Sequence, residues 1–442
     1  MVRYGLSING LNFNSLRENM KLLWCLTCFF VFIAKPIHVW SQSIDEVLIV
    51  VNNENPEIAA ARSTLSQIYD EIPTAWTNFL PNISFGTTFE RSLTDDKYNN
   101  TSSRSETFSN TLSISQDLFN LQHNEQFRRA KLNVEKQEQI FRSVQQIVLM
   151  KTITAYLAVI KTRDVVNLQT KNVEVLKSHL ENTKIQHEMR RRTNADLAQA
   201  KSRLAKGNAD KLSSEVDYNA ALSAYKRLVG VKPDDLFLPK FENDFPQDIQ
   251  EIEILAASEH PDVLAASIAV KAAKSDIRSK ERAFGPSLAL SGSIAKSNVN
   301  NKASESSGST ISSLGLTFTV PIYQKGVEYT ELATARKALR QSDLELVTAR
   351  RLAVDNARKS FENKKGAIAK IQDFEAQVQA ATVALNSIRQ ELDAGRRTVL
   401  NLLDAEQELL NARVSLATAK HNLILTTYRL QERVGRLKIP TN

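Results

Sequence analysis

The chain has 442 residues, 42% of them hydrophobic and 24% charged, a balance that excludes an intrinsically disordered protein. The net charge is +8, and residues 1–41 contribute +3 of it, so +5 remains on the rest, which gives no support to nucleic-acid binding. The 13 glycines and 11 prolines are few for this length, which favours long uninterrupted helices.

Residues 1–41 are predicted to be a signal peptide. Arg17 and Lys21 precede the apolar run Leu22–Ala34, whose 13 residues are too few for a spanning helix and typical of a signal-peptide core. Cleavage is expected near Gln42. A retained membrane anchor is the alternative, and both Met1 and Met20 are candidate translation starts.

The two cysteines, Cys25 and Cys28, lie inside the predicted signal peptide. Their C-x-x-C spacing occurs in redox and metal sites, but cleavage would remove both residues. The 6 histidines lack metal-ligand spacing, and no phosphate loop, dinucleotide fingerprint or serine-hydrolase motif occurs. The sequence therefore predicts no enzyme, no metal and no cofactor.

The rest of the chain is a tandem repeat. Asn55–Ala61 recurs as His260–Ala266, a shift of 205 positions. The same shift relates further pairs, namely Pro81 and Pro286, Thr193 and Thr398, Ala200 and Ala405, Leu204 and Leu409, and Gly230 and Gly435. Since unrelated coincidences would not share one shift, the sequence predicts two copies of one unit. Their expected bounds are 43–230 and 248–437, joined by a linker over 231–247.

Each unit contains two segments in which apolar and small polar residues alternate, over 81–92 and 107–116 and over 287–294 and 314–320. Such alternation predicts strands with one apolar and one polar face, each about ten residues long, as a membrane strand requires. The serine- and asparagine-rich residues 93–106 and 298–311 are expected to be exposed hairpin loops. A soluble sandwich is the alternative interpretation of this pattern.

We expect no transmembrane helix after residue 41, because no apolar run there is long enough, so any membrane span is expected to be β. Four strands cannot close a barrel with an open polar interior, which takes eight or more. Three copies would supply twelve strands. The pattern therefore predicts that the chain oligomerises and that the apolar faces of its strands contact membrane lipid.

Residues 121–229 and 322–434 contain no proline and are predicted to be two long helical hairpins. In the second hairpin, apolar residues follow a heptad pattern, broken near Gly395 at the expected turn. A helix of about 65 residues would extend roughly 100 Å. The heptad positions are Ile371, Phe374, Val378, Ala381, Leu385, Ile388 and Leu392, then Leu402, Ala405, Leu409, Ala412, Leu416, Ala419, Leu423 and Leu430.

Taken together, these motifs resemble the TolC family of outer-membrane efflux and secretion proteins, over Asn55–Leu437. The repeat openings, the proline entries into the strands and Val320-Pro321-Ile322-Tyr323 are similar to that family. The most specific similarities are the two tip signatures, Thr193–Ala200 and Gly395–Leu409, at the repeat shift.

The resemblance implies a mainly α fold with a membrane β-barrel, in which each repeat comprises a helix, two strands and a long helical hairpin. It implies a homotrimer with a twelve-stranded barrel in the outer membrane of a Gram-negative bacterium and a periplasmic α-helical barrel. The implied partners are a periplasmic adaptor (membrane fusion) protein and an inner-membrane transporter, ABC-type or proton-driven. The implied activity is passive export of proteins or small toxic compounds; a structural coiled-coil envelope protein without a channel is the alternative.

The resemblance also assigns a periplasmic gate. Arg397 and Asp196 match a gate salt bridge, and Asp404 matches one aspartate of a constriction. Asn401 stands where the family has a second aspartate, so half of the acidic ring is missing, and the ion selectivity stays open.

The two hairpin tips are expected to dock the adaptor. Arg190 occupies a position where the family usually has glycine. The expected docking residues are Arg190, Arg191, Arg192 and Thr193 in the first tip and Gly395, Arg396 and Thr398 in the second. The first tip and Tyr225–Pro233 resemble the type I secretion branch, with drug efflux as the alternative cargo class.

Overall fold

The computed structural model describes residues 43–96, 101–239, 246, 248–301 and 307–437. The predicted signal peptide lies outside these residues, as do the middle of the linker and the tips of both strand hairpins. Helices and strands follow one order twice: short helices, a strand pair, one very long helix and one shorter helix.

The first repeat has seven elements. They are α1 (Ile44–Glu54), α2 (Pro56–Tyr69), α3 (Glu71–Thr77), β1 (Asn82–Asp96), β2 (Thr101–Asn120), α4 (Leu121–Glu188) and α5 (Asn194–Val229).

The second repeat has six elements. They are α6 (Ile249–Glu259), α7 (Pro261–Arg282), β3 (Ser287–Asn301), β4 (Ser307–Thr319), α8 (Val327–Asp393) and α9 (Val399–Val434).

The helix caps repeat with the same shift as the sequence. Asn55 caps α2 by accepting a hydrogen bond from the Glu57 amide, and His260 caps α7 by accepting one from the Asp262 amide. In both helices proline is the first helical residue, where its missing N–H costs nothing. The predicted duplication is therefore present in the local backbone structure as well.

The four strands form one antiparallel sheet in the order β1-β2-β3-β4. The strands contain 15, 20, 15 and 13 residues, so the expectation of about ten residues each was wrong. They extend into the segments predicted to be loops, because residues 93–96, 101–106, 298–301 and 307–311 continue the ladder. Serine and asparagine content was a poor guide there, since cross-strand hydrogen bonds hold the backbone in either case.

The register confirms that the sheet has one apolar and one polar face. Ile83 pairs with Ile114, Phe85 with Leu112 and Phe89 with Phe108; Leu290 pairs with Leu316 and Leu288 with Phe318. Paired residues share a face, so these side chains lie together. Hydrogen-bonded serine pairs line the other face, at Ser84–Ser113 and Ser293–Ser313.

The long helices α4 and α8 contain 68 and 67 residues, and each pairs with a helix of 36 residues, α5 or α9. At 1.5 Å per residue, α4 extends about 100 Å. Eight of the fifteen predicted heptad positions meet in one cluster between α8 and α9, whose buried members are Ala381, Leu385, Leu402, Ala405 and Leu409. The predicted hairpin turn near Gly395 is present.

The largest core lies where α1 packs on the middle of α4 and the end of α5. Its fully buried side chains include Val148, Leu149, Ile153, Tyr156 and Tyr225. The linker closes this core, because Leu236 is buried in it and the Tyr156 hydroxyl donates to the Phe237 carbonyl at 2.7 Å.

This core corrects one expectation from the sequence. The helix α4 contains an 18-residue stretch of mean hydropathy 1.4, apolar enough by composition for a membrane helix, although none was expected after residue 41. However, 61% of that stretch is buried inside the chain. Because Val148, Leu149 and Ile153 are completely covered by protein, the stretch is a core segment of the helical part.

A polar cluster attaches α7 to the start of α4, next to the sheet. Glu125 is buried and accepts hydrogen bonds from Ser275 and Arg278, and Arg282 lies 3.0 Å from its other oxygen. Burial alone would raise the pKa of Glu125, but these hydrogen bonds and the two guanidinium groups outweigh it, so the pKa is lowered. The carboxylate therefore stays ionised where the helices meet the strands.

Close packing of the first hairpin depends on Gly207. A Cβ atom at this position of α5 would lie 2.7 Å from Leu176 Cδ1 on α4. Gly366, in the middle of α8, has no atom within 4 Å of the equivalent point. We therefore expect substitutions at these two helical glycines to have opposite effects on stability.

Gly207→Leu should destabilise the α4–α5 packing by about 1–3 kcal/mol, because the added side chain overpacks the contact with Leu176. Gly366→Ala should be neutral or stabilise its helix by up to about 1 kcal/mol, because alanine has the higher helix propensity. Thermal unfolding followed by circular dichroism measures both effects. Equal melting temperatures for the two variants would contradict this account of Gly207.

Candidate functional site

The two helical hairpins end in turns of the same geometry. In the first, the Arg190 amide donates to the His187 carbonyl at 2.9 Å and the Arg191 amide to Gln186 at 2.8 Å. In the second, the Gly395 amide donates to Leu392 at 3.0 Å and the Arg396 amide to Glu391 at 2.8 Å. Both patterns are Schellman motifs, which satisfy the last carbonyls of α4 and α8.

These motifs require a left-handed residue after the helix. Gly395 adopts φ +73° without strain, whereas Arg190 adopts φ +56°, a conformation that costs an L-residue about 1–2 kcal/mol. Local hydrogen bonds hold the first turn in place, because Arg192 Nε donates to Gln186 Oε1 at 2.9 Å. The substitution of arginine for glycine seen in the sequence therefore preserves the turn.

The helices that follow the two turns, α5 and α9, each begin with a capping box. The Thr193 amide and hydroxyl both donate to Asp196 Oδ2, at 3.0 and 2.9 Å, and the Asp196 amide donates back to the Thr193 hydroxyl. Thr398 and Asn401 make the same three contacts at the start of α9. Asp196 and Asn401 are thus equivalent residues of the two repeats, one ionisable and one neutral.

The capping contacts change the acidity of Asp196. Hydrogen bonds from the Thr193 amide and hydroxyl, with a smaller effect of Arg192, lower the pKa of its carboxyl group. The ionised side chain also lies at the positive end of the α5 dipole, which favours it further.

The predicted gate residues lie at these tips, but Arg397 and Asp196 have other partners within the chain. Arg397 Nε donates a hydrogen bond to Glu391 Oε2 at 2.6 Å, and the Asp196 carboxylate accepts one from the Thr193 hydroxyl. Glu391 is the nearer acid because it lies in the last turn of α8, only six residues before Arg397. A contact between Arg397 and Asp196 of adjacent copies stays a prediction.

Asp404, the predicted constriction aspartate, forms an ion pair with Arg203 of α5. About half of the Asp404 side chain remains exposed. Nothing in the sequence indicated Arg203, because its partner lies in the other repeat, 201 positions away.

A second carboxylate of the same helix, Glu406, is buried among three helices. Its Oε1 lies 2.8 Å from His179 Nε2 of α4 and accepts a hydrogen bond from Arg389 of α8 at 3.3 Å. The sequence shows Glu406 only as part of the second tip signature. Its burial, with 6% of the side chain exposed, depends on the packing of both hairpins.

An apolar cluster fixes the tips relative to each other. Leu176 of α4 and Val399 and Leu403 of α9 are buried together, with Leu204 of α5 and Leu392 of α8 packed at their side. All four long helices therefore meet within about three to four turns of the tips. Beyond this cluster the predicted docking residues are exposed, except Arg192, which is half-buried. The exposed ones are Arg190, Arg191, Thr193, Gly395, Arg396 and Thr398.

Comparison with known proteins shows the family. Residues 50–231 and 255–436 each match the outer membrane efflux protein family, so the two matches begin 205 positions apart, like the repeats. The chain belongs to the outer membrane efflux protein family. Membership places it in the outer membrane as an export channel, and the long helical hairpins extend into the periplasm.

Its relatives include outer membrane efflux protein BepC of Brucella suis, 26% identical over 70% of this chain and 67% of that protein. Outer membrane protein TolC of Escherichia coli is 22% identical over 87% of this chain and 80% of that protein. Among solved structures, the Campylobacter jejuni CmeC outer membrane channel has the same fold, with a TM-score of 0.77 and 17% identity over 90% of this chain and 87% of that one.

The two capping boxes should respond differently to acid. A carboxyl group whose pKa is lowered by folding stabilises the fold above the unfolded pKa, near 3.9, and loses that effect as the pH falls through the folded value. We therefore expect amide protection in the first turn of α5 to fall between pH 5 and pH 2, relative to the first turn of α9, which has Asn401 instead. Hydrogen exchange by mass spectrometry measures this, and equal losses at both tips would contradict the assignment.

Proposed function

We propose that three copies of the chain form a closed duct, with a twelve-stranded barrel in the outer membrane and an α-helical barrel in the periplasm. The duct passively conducts cargo delivered by an inner-membrane transporter through a periplasmic adaptor. One observation carries this proposal, which is the four-stranded sheet with an exposed apolar face and two unpaired edges.

The apolar face of the sheet is uncovered along its length. Phe85, Leu314 and Phe318 are between 67% and 80% exposed, and neighbouring apolar residues on all four strands are exposed with them. A soluble protein rarely leaves a continuous apolar patch larger than a few hundred Å² in water. Lipid is the solvent that suits this face, while the opposite serine- and threonine-rich face suits a water-filled interior.

The edges of the sheet explain the number of copies. Within the described residues, β1 pairs only with β2 and β4 pairs only with β3. Unpaired backbone groups cannot remain in lipid, so the sheet has to close. Because β1 and β4 run in opposite directions, β4 of one copy can join β1 of the next by the same antiparallel pairing. Three such joints give twelve strands, enough for a polar lumen.

The helical part has matching free faces. Leu344, Leu352 and Val383 on α8 are exposed, as are Leu212 and Val216 on α5. These two helices lie at opposite sides of the helical layer, since α4 and α9 occupy the middle. Contact of α8 with α5 of the next copy would cover both faces. A coiled-coil filament without a channel would use such helices too, but it would leave the sheet without a role.

The tips are the proposed gate and docking end. Arg397 and Asp196 would form the closing salt bridge between copies, with Asp404 and Asn401 around the constriction. The exposed residues Arg190, Arg191, Thr193, Gly395, Arg396 and Thr398, together with the half-buried Arg192, would contact the adaptor. Secreted proteins and small toxic compounds both remain candidate cargoes, with resemblance to the type I secretion branch favouring proteins.

Leu316→Arg and Thr317→Arg test the polarity of the sheet with neighbouring residues of one strand. Arginine on the lipid-facing side costs about 2–4 kcal/mol per copy near the bilayer centre, whereas the lumenal side tolerates it. Leu316→Arg should therefore abolish the membrane trimer, and Thr317→Arg should not. Cell fractionation and native gel electrophoresis measure both. Equal behaviour of the two variants, or a water-soluble monomeric wild type, would contradict the barrel.

Arg397→Ala tests the gate. Removing the proposed salt bridge should raise the closed-state conductance in planar bilayers and increase antibiotic leakage into cells, without loss of the trimer. An exposed pair is worth only about 0.2–1 kcal/mol, so three copies are needed for a clear effect. The control is Arg396→Ala, in the same exposed turn. Unchanged conductance for Arg397→Ala would show that the assigned salt bridge does not hold the gate.

A further inference from the structure

Two contacts between a histidine and a carboxylate join the hairpins of the two repeats within one copy. His179 of α4 lies 2.8 Å from Glu406 of α9, and Asp164 of α4 lies 3.0 Å from His421 of α9. In both helices the two residues are 15 positions apart, about 22 Å, so the contacts mark one antiparallel interface. We call this interface the α4–α9 seam.

Glu406 is the more buried carboxylate of the seam. Only 6% of its side chain is exposed, and its Oε1 is shared between His179 and Arg389. Among the described residues, its Oε2 is buried and has no hydrogen-bond partner. A buried charge of this kind is expensive, and an apolar residue of similar size is often at least as stable. Its presence is therefore better explained by a need for specific helix placement than by stability.

The Asp164–His421 contact has the reverse arrangement, because here the histidine is the buried partner. The His421 side chain is 6% exposed, whereas Asp164 is 41% exposed. The other ring nitrogen of His421 is buried without a hydrogen-bond partner in the described part of the chain. Asp164 is thus the polar partner that the described residues give to His421, and the contact joins α9 to α4 a second time, farther from the tip.

The repeat symmetry shows that these contacts are specific to one interface. The position equivalent to Glu406 is Lys201, and that of His179 is Ala384. His421 corresponds to Val216, and Asp164 to Ala369. In the proposed ring, these four counterparts belong to α5 and α8, which meet between copies. The interface between copies therefore lacks both histidine–carboxylate contacts.

We propose that Glu406 is a positioning residue of the gate, which with His179 and Arg389 holds the second hairpin against the first and so keeps the tip closed. The Asp164–His421 contact supports it along the same seam. This inference rests on the proposed duct function. It places a restraint on opening inside each copy, in addition to the salt bridge expected between copies.

Glu406→Leu tests the restraint, because it leaves His179 and Arg389 without their acceptor. The closed-state conductance in planar bilayers should rise, with the open population increased about tenfold or more. Glu406→Gln keeps an acceptor oxygen for both donors and should restore most of the closed state. The control Glu408→Leu removes an exposed carboxylate two positions along the same helix and should leave conductance unchanged.

The trimer melting temperature separates gating from stability. We expect Glu406→Leu to open the channel while its trimer stays as stable as that of the control Glu408→Leu. If Glu406→Leu does not assemble, His421→Leu tests the restraint at the Asp164–His421 contact instead. The same rise in closed-state conductance is expected. Wild-type conductance in the assembled variant would overturn the positioning role, as would equal opening by Glu406→Gln and Glu406→Leu. A wild-type protein without any channel would overturn the duct itself.

Discussion

An antiparallel sheet with an apolar face and two free edges has to be covered on that face and joined at those edges. Here the helices of the same chain do not cover it, because they are packed on one another along the seams between α4, α5, α8 and α9. Lipid would cover the apolar face, and further copies of the chain would pair with the free edges, so an oligomer in a membrane meets both requirements. In the proposed trimer, assembly, membrane insertion and a polar passage would all follow from one pattern of alternating side chains.

The length of the helices follows from the same arrangement. A duct anchored in one membrane needs a wall that reaches toward the other, and α4 and α8 provide it with almost no proline to interrupt them. Movement is expected at the tips, where the helices are held by caps, exposed ion pairs and one small apolar cluster. The polar seam contacts lie just above this region. Rigid walls and a weakly held end suit a channel that stays closed until a partner engages it.

Much of the fold was predictable from the sequence because the signals were periodic and repeated. The shift of 205 positions paired Thr193 with Thr398 and Pro81 with Pro286, the heptad break located the turn near Gly395, and the alternation of residues gave the strands and their faces. Strand ends were not predictable, since serine and asparagine occur in loops and in strands that face water. The apolar stretch of α4 was overlooked in the sequence, and only the structure shows that it is a buried core segment, in one cluster with Val148 and Leu149.

The candidate site was less predictable, since its contacts join distant parts of the chain. Asp404 was singled out, but its partner Arg203 was not, and Glu406 gains its importance only through His179 and Arg389. The central claim is that alternate residues of the strands face lipid and water. The two native cysteines, Cys25 and Cys28, both lie in the predicted signal peptide. Single cysteines introduced along 313–318 can therefore carry spin labels whose exposure to oxygen and to a water-soluble nickel complex is measured in membranes. The account predicts that 314, 316 and 318 are reached by oxygen and 313, 315 and 317 by the nickel complex; no alternation, or water access at all six, would contradict it.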